Sequence, residues 1–460
     1  MNTIVLLTVL LGGLPLAQAS KDKRPNIVWM ITEDMSPNLA CYGDKNAITP
    51  NLDKLASQGA RFNRCFSHAP VCAPSRSGLM TCRYPTSIGS HHMRSKLINP
   101  PVTFTEQLRK AGYYVAWPGK TDTNFNMSKD AFDSTKEWIK SDLPKQPFFA
   151  QIHFQGTHES QIRHGKQEHL QKTDRLKPSE RHDPAKMVVP PYYPDTPEVR
   201  QDIAYYYDNI TQMDYRVGDV MKYLEEKGLA DNTVVFFFGD HGWGMPRGKR
   251  WIYDTGTRTA LLVRWPGKIP PATVREDLVA FVDLGVTCLA IAGAEIPATM
   301  DGVPFLTEKA KPRKYVYAAR DRMDETYDRI RGVRDERFQY IRNYHPELPY
   351  AQRIQYMELM PTMQAWRKAN AEGSLTGAQK LFFAPTKPPE ELYDCQEDPH
   401  QVNNLAKDPK YTAKLEELRK ALDEWIVSTK DMGAIPEKEL IRQGLVEDVL
   451  SSYENRKQKK

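Results

Sequence analysis

The stretch Asn26-Ile27-Val28-Trp29-Met30-Ile31-Thr32-Glu33-Asp34 runs apolar from Ile27 to Ile31 and ends on two adjacent carboxylates. A strand with one wet face alternates apolar and polar residues. One that is apolar throughout is covered on both faces, as in the sheets of α/β proteins. Acids at its C-terminal end lie where sites form in open α/β sheets. Adjacent carboxylates repel, so a cation is the natural reason for the pair.

The flanking sequence extends this pattern. Thr49-Pro50-Asn51 opens a helix with Thr49 as N-cap and Pro50 at its first position. Leu52, Leu55 and Ala56 form its inner face and Gly59 ends it. Phe148 to Phe154, Thr233 to Phe238 and Ala260 to Val263 read as further buried strands. A long helix from Val199 to Lys227 carries an apolar stripe from Ile203 to Leu224 and stops at Gly228. Leu278 to Ala292 reads as another helix, and polar, Pro-rich Gln161 to Pro197 as a long loop over the site. Alternating strands and helices predict an α/β fold with a large, parallel or mixed sheet sandwiched by helices. From Lys311 onward, Tyr315 to Ala318 and Phe338 to Ile341 predict a smaller sheet, and Tyr411 to Val427 a terminal helix.

At 460 residues the chain exceeds the size at which one core stops growing. The expected layout is a catalytic domain over 20–310, a smaller domain over 311–430 and a charged tail over 431–460. The net charge of +6 is spread along the chain. It suits steering of an anionic substrate, and no nucleic-acid motif accompanies it. Apolar Ile4 to Leu16 followed by Ala17-Gln18-Ala19 reads as a signal peptide cleaved near Ala19, giving an exported protein without membrane insertion. Six cysteines are too few for a disulfide scaffold. Pairing of Cys65 with Cys82 or Cys41 stays open.

Beyond the first strand lies Cys72-Ala73-Pro74-Ser75-Arg76-Ser77-Gly78-Leu79-Met80-Thr81-Cys82-Arg83. A lone Cys is most often a small buried apolar residue. This run, however, resembles the signature of the type I sulfatases of the alkaline phosphatase superfamily, in which the Cys of Cys-x-Pro-Ser-Arg is oxidised to formylglycine. The resemblance implies an alkaline phosphatase-like fold, with an antiparallel sheet in the smaller α/β domain. It also implies a hydrated aldehyde in which one hydroxyl attacks sulfur and the other re-forms the C=O to eject sulfate. Cys82 stands where the family usually has Gly, which costs energy if the position needs φ > 0.

Ile31-Thr32-Glu33-Asp34 and Phe238-Gly239-Asp240-His241-Gly242 are similar to the family's metal segments. They imply Glu33, Asp34, Asp240, His241 and the modified Cys72 around Ca²⁺. The imidazole of His241, where many members have Asn, suits Mn²⁺ or Zn²⁺ as well. By the same resemblance Arg76 holds the diol, Lys120 binds sulfate, and His158 and Lys249 serve the leaving-group side. Asp122 replaces the His of the family's Gly-Lys-x-His segment. Val189 to Thr196, Tyr253 to Arg258 and the pair His91-His92 look like the heparan N-sulfatase (N-sulfoglucosamine sulfohydrolase) branch. Loop residues His91, His92, Arg94, Arg258, Arg320 and Arg322 are the candidate substrate contacts, with surface salt bridging as the competing role of the arginines.

The expected activity is hydrolysis of sulfate esters or sulfamates on a sulfated carbohydrate, after a formylglycine-generating maturation enzyme has acted. The alternatives are a phosphonate or phosphate ester hydrolase of the same superfamily and an inactive polyanion-binding protein.

Overall fold

A computed structural model describes residues 24–140, 145–307 and 310–451. The signal peptide expected at 1–19 and the basic end Arg456 to Lys460 lie outside the described residues.

Seven strands form the large sheet: β1 (Asn26–Thr32), β2 (Ala60–Phe66), β3 (Tyr114–Ala116), β4 (Phe148–Phe154), β5 (Thr233–Gly239), β6 (Arg258–Arg264) and β7 (Thr273–Ala280). Their spatial order is β3-β4-β1-β5-β6-β2-β7. Strands β3, β4, β1 and β5 run parallel, β6 is antiparallel to β5 and β2, and β7 is parallel to β2. The sheet is therefore mixed, and β1 lies at its centre. Every residue of β1 is buried. Trp29 and Ile31 pack with Phe104, Leu284 and Leu289 on one face. Val28 and Met30 pack with Ile203, Ile210 and Val217 of the helix Pro197–Glu226 on the other. The unbroken apolar run reflects these two coverings.

The second sheet is antiparallel, in the order β11-β10-β9-β8. Its strands are β8 (Val316–Arg320), β9 (Ile330–Arg334), β10 (Phe338–Asn343) and β11 (Glu390–Asp394). The helix Thr412–Ser428 covers it with Leu418, Leu422 and Trp425.

Four local expectations are revised. The helix read from Leu278 begins at Phe281, because Leu278 to Ala280 continue β7 in register with Arg64 to Phe66. Thr49 occupies the N-cap of Pro50–Ser57, but its hydroxyl accepts from Ala40 N instead of capping the helix. The segment Gln161 to Pro197 contains a short helix, Lys166–Lys172. It is tied down by Asp208, which faces His169 Nε2 at 3.0 Å and accepts from His182 N at 2.9 Å. Finally, residues 431–446, expected in the charged tail, return to the body of the protein. Glu437 is buried against Arg322, and Val446 bridges to Leu97. All six cysteines are free thiols.

Candidate active site

β1 and β5 are hydrogen-bonded neighbours with Thr32 opposite Gly239. Their ends therefore deliver Glu33-Asp34 and Asp240-His241 to the same point. Asp240 N donates to Thr32 O at 2.9 Å and Asp34 N to the Asp240 Oδ1 at 3.0 Å, so each acid is fixed through its neighbour's backbone. Cys72 is the first residue of the helix Cys72–Thr81, which starts at this edge. Ser75 Oγ donates to Asp240 O at 2.6 Å and locks that helix to the β5 end. The helix terminates at Cys82 with φ +53°, the left-handed conformation at which a Gly would be unstrained. Gly285 accommodates this residue from across the interface, since a Cβ there would lie 2.5 Å from Cys82 Sγ.

Asp34, Cys72, Asp240 and His241 each bring one ligand atom into a group whose members lie within 4.8 Å of one another, all buried. Two carboxylates, an imidazole and the oxygen that would replace sulfur at Cys72 form a donor set suited to a divalent cation. The His241 Nδ1 faces Gly242 O at 2.9 Å, which directs Nε2 toward Asp34 Oδ1 at 3.1 Å and Cys72 Sγ at 3.4 Å. Glu33 is not part of this group. Its Oε1 accepts from Arg76 Nη2 at 3.4 Å and from Lys120 Nζ, and faces His153 Nε2 at 3.2 Å. Expected among the metal ligands, Glu33 here holds cations beside that group. Burial opposes its ionisation, but His153, Arg76 and Lys120 together hold its carboxyl well below the ordinary range.

Cations ring Cys72. Arg76 Nε donates to Asp240 Oδ2 at 3.1 Å, so its guanidinium joins the Asp240 carboxylate to that of Glu33. Lys249 Nζ lies 2.8 Å from Asp34 Oδ2, 2.9 Å from Glu159 and 3.4 Å from His158 Nε2. Burial would raise the Cys72 thiol, but the charges of Lys249, Lys120 and His241 outweigh it and bring it down to about 7. The same field would stabilise any anion placed there. Ser160 N donates to His158 Nδ1 at 3.2 Å, and this contact with the Lys249 contact at Nε2 fixes the ring's orientation at the site. Lys120 also pairs with Asp122 at 3.1 Å, and Asp122 with Arg94.

The structure separates the candidate substrate contacts. Arg94 stands at the rim, 49% exposed. His91 and His92 are buried, and the His92 Nδ1 lies 3.2 Å from Arg322 N as its acceptor. Arg258 donates to Asn63 O. Arg320 is buried on Asp328, and Arg322 forms a two-pronged pair with Glu437. These three arginines are held by internal partners. Three site residues escaped the sequence reading. His153 faces Glu33 from the end of β4, and Glu159 holds Arg250 in a two-pronged pair while accepting from Lys249. No spacing in the sequence marks them; only the fold brings them in.

The chain matches the family model described as Sulfatase over residues 25–134 and 118–294. A second model, N-sulphoglucosamine sulphohydrolase, C-terminal, matches over 239–358. An ulvan-active sulfatase of Formosa agariphila is 40% identical, covering 91% of this chain and 77% of its own. Human N-sulphoglucosamine sulphohydrolase is 26% identical, covering 88% and 90%. Among solved structures, one determined in complex with its substrate D-glucosamine-2-N,6-O-disulfate aligns with a TM-score of 0.64 at 19% identity over 89% of this chain and 98% of that one. A phosphonate monoester hydrolase from Silicibacter pomeroyi aligns with a TM-score of 0.63 at 19% identity, covering 90% and 97%. Structural likeness at that identity establishes the fold alone.

Proposed function

Because the chain belongs to the sulfatase family and is a sulfuric ester hydrolase, we propose that it is an exported enzyme that removes sulfate from a sulfated saccharide, with Cys72 converted to formylglycine. The observation that carries this reading is the placement of Cys72 at a helix start, between a carboxylate–imidazole cluster and the cations of Arg76, Lys120 and Lys249.

Converted to formylglycine and hydrated, position 72 would supply one hydroxyl for attack on sulfur and a second whose proton loss would re-form the C=O and free the sulfate. A divalent cation held by Asp34, Asp240 and His241 would polarise sulfate oxygens and lower the charge on the attacking oxygen. Ca²⁺ is the first candidate, with Mn²⁺ or Zn²⁺ favoured by the imidazole. Arg76, fixed between Glu33 and Asp240, orients the nucleophile-bearing residue. Lys120 binds the sulfate oxygens from the open side, where a quarter of its side chain is exposed. His158 and Lys249 face the leaving oxygen or nitrogen and supply its proton. Arg94 contacts the sugar at the rim.

The apolar segment Ile4 to Leu16 supports export. The ulvan-active relative supports a sulfated saccharide as substrate.

The deciding measurement is the mass of the peptide carrying Cys72, joined to turnover of an aryl sulfate and an aryl phosphate. Loss of about 18 Da, from thiol to aldehyde, with a preference for the sulfate is expected. An unmodified thiol in an active protein, or preference for phosphate, overturns the reading.

A further inference from the structure

Beside the leaving-group residues stands an aromatic side chain with no role in the chemistry above. Tyr356 is 37% exposed. Its ring centroid lies 6.3 Å from that of His158, and the guanidinium of Arg163 stacks 4.4 Å over it. The Arg250 guanidinium lies 5.9 Å from the same ring centroid and is locked by Glu159. Arg163 differs from Arg250. It is half-buried, donates to Tyr356 O at 3.4 Å, and is paired with no carboxylate among the described residues.

The backbone beneath Tyr356 is fixed. Met357 and Met360, which follow it, are 2% and 1% exposed in the core. Gln355 N donates to Glu325 Oε1 at 2.6 Å. A partly exposed aromatic ring on such a support is arranged to take an apolar face. A sugar ring has such a face in its axial C–H groups, and its hydroxyls remain free for water. An unpaired guanidinium at the same spot recognises a planar or tetrahedral oxyanion.

From these positions we infer that Tyr356 and Arg163 form a saccharide subsite on the leaving-group side, taking an anionic sugar unit joined to the sulfated one. The assignment rests on the sulfatase reading, because that reading sends the leaving oxygen past His158 toward Tyr356. Tyr356 stacks on the ring, and Arg163 pairs with its anionic substituent, a uronate carboxylate or a second sulfate. The segment that carries Tyr356 lies between β10 and β11, so the smaller sheet's insertion sets which polymer is cut.

The test compares 4-nitrophenyl sulfate with a sulfated oligosaccharide that contains a uronate, using wild type, Tyr356→Ala, Tyr356→Phe and Arg163→Ala. Tyr356→Ala is expected to raise the oligosaccharide KM about tenfold, far more than the aryl sulfate KM, with kcat within about twofold. Tyr356→Phe restores it. The Arg163→Ala penalty should vanish when the substrate carboxylate is reduced to an alcohol; if removing a second sulfate abolishes it instead, that sulfate is the ligand. Equal losses on the two substrates, or an unchanged oligosaccharide KM, overturn the subsite. Calorimetric binding of the oligosaccharide to Cys72→Ala and to Cys72→Ala/Tyr356→Ala reads the subsite without turnover. A wild type inactive on both substrates therefore refutes the sulfatase reading separately.

Discussion

Among the buried charge groups of the described residues, the one around Cys72 and the one around Arg331 differ most usefully. Arg331 is fully buried and pairs with Asp321 at 3.0 Å and Asp431 at 2.9 Å. Its donors are spent on these carboxylates and on nearby carbonyls. That group is closed on itself and pins the residues after β8 to the returning chain near Asp431. Around Cys72 the pairs are as short, yet they are aimed differently. Lys120, His241 and Lys249 all hold the Cys72 thiol down, Arg76 is tied to the neighbouring Glu33 and Asp240, and Lys120 and Arg94 open the cluster to solvent. Burial and pairing alone do not mark function. Convergence on a reachable point does.

The largest expected effect breaks the open group at its focus. Cys72→Ala should reduce turnover by about 10⁴-fold or more, with far-UV circular dichroism and melting temperature near those of the wild type. Full activity in that variant would remove the nucleophile from the mechanism. Next, Lys120→Ala should lower kcat/KM by about 10²–10³-fold with little loss of stability, because the Lys120 side chain is partly solvated and Glu33 retains Arg76 and His153. Unchanged kinetics would take Lys120 out of the sulfate site.

The closed group should respond in the opposite sense. Arg331→Ala leaves Asp321 and Asp431 buried without their partner, at a cost of about 3–5 kcal/mol. Urea unfolding should record that loss while kcat of the folded fraction stays within about threefold. A large loss of kcat at unchanged stability would mean that the two groups are coupled.

The smallest effect belongs to a carboxylate with no cation at all. Asp202, in the long helix, accepts from the backbone and hydroxyl of Thr362 at 2.8 and 2.7 Å, and burial raises it to about 7. A carboxyl raised in the folded state binds a proton more tightly there than in the unfolded chain. Its contribution is therefore present below about pH 4 and lost as the pH rises to about 7. Asp202→Asn should remove that slope and raise the melting temperature at pH 8 by about 2–4 °C. An unaltered pH profile would show that Asp202 is ionised in the native state.

Against these contrasts, the sequence is legible where one residue type has one physical use. The run Ile27 to Ile31 announces a strand covered on both faces, and Gly228, at φ +65°, ends the long helix as expected. Cys82 betrays the left-handed turn after the motif helix by its very misfit. Legibility ends where partners come from far along the chain. Glu33 and Asp34 are identical in pattern, but alternation along the strand end sends one to Arg76, Lys120 and His153 and the other to Lys249 and His241. Arg320 and Arg322 look like loop cations until Asp328 and Glu437 are folded against them. β7 hides because Arg275-Glu276-Asp277 interrupt its apolar run on the sheet's edge, where charge is tolerated.

Gly59 shows the same principle through space rather than charge. It follows the helix Pro50–Ser57 because a side chain there would collide with Val263 O, and no left-handed turn is involved. A sequence displays the need for a small residue and conceals the neighbour that imposes it.

The burial of the motif helix also sets an order of events. Every residue from Cys72 to Thr81 is buried, and Cys72 itself is only 2% exposed. The conversion proposed for Cys72 requires this side chain to be reachable, and that access ends when the helix packs against the β5 end. In that reading the thiol is altered while the chain is still young, and a chain that folds first is complete in shape but without its reagent.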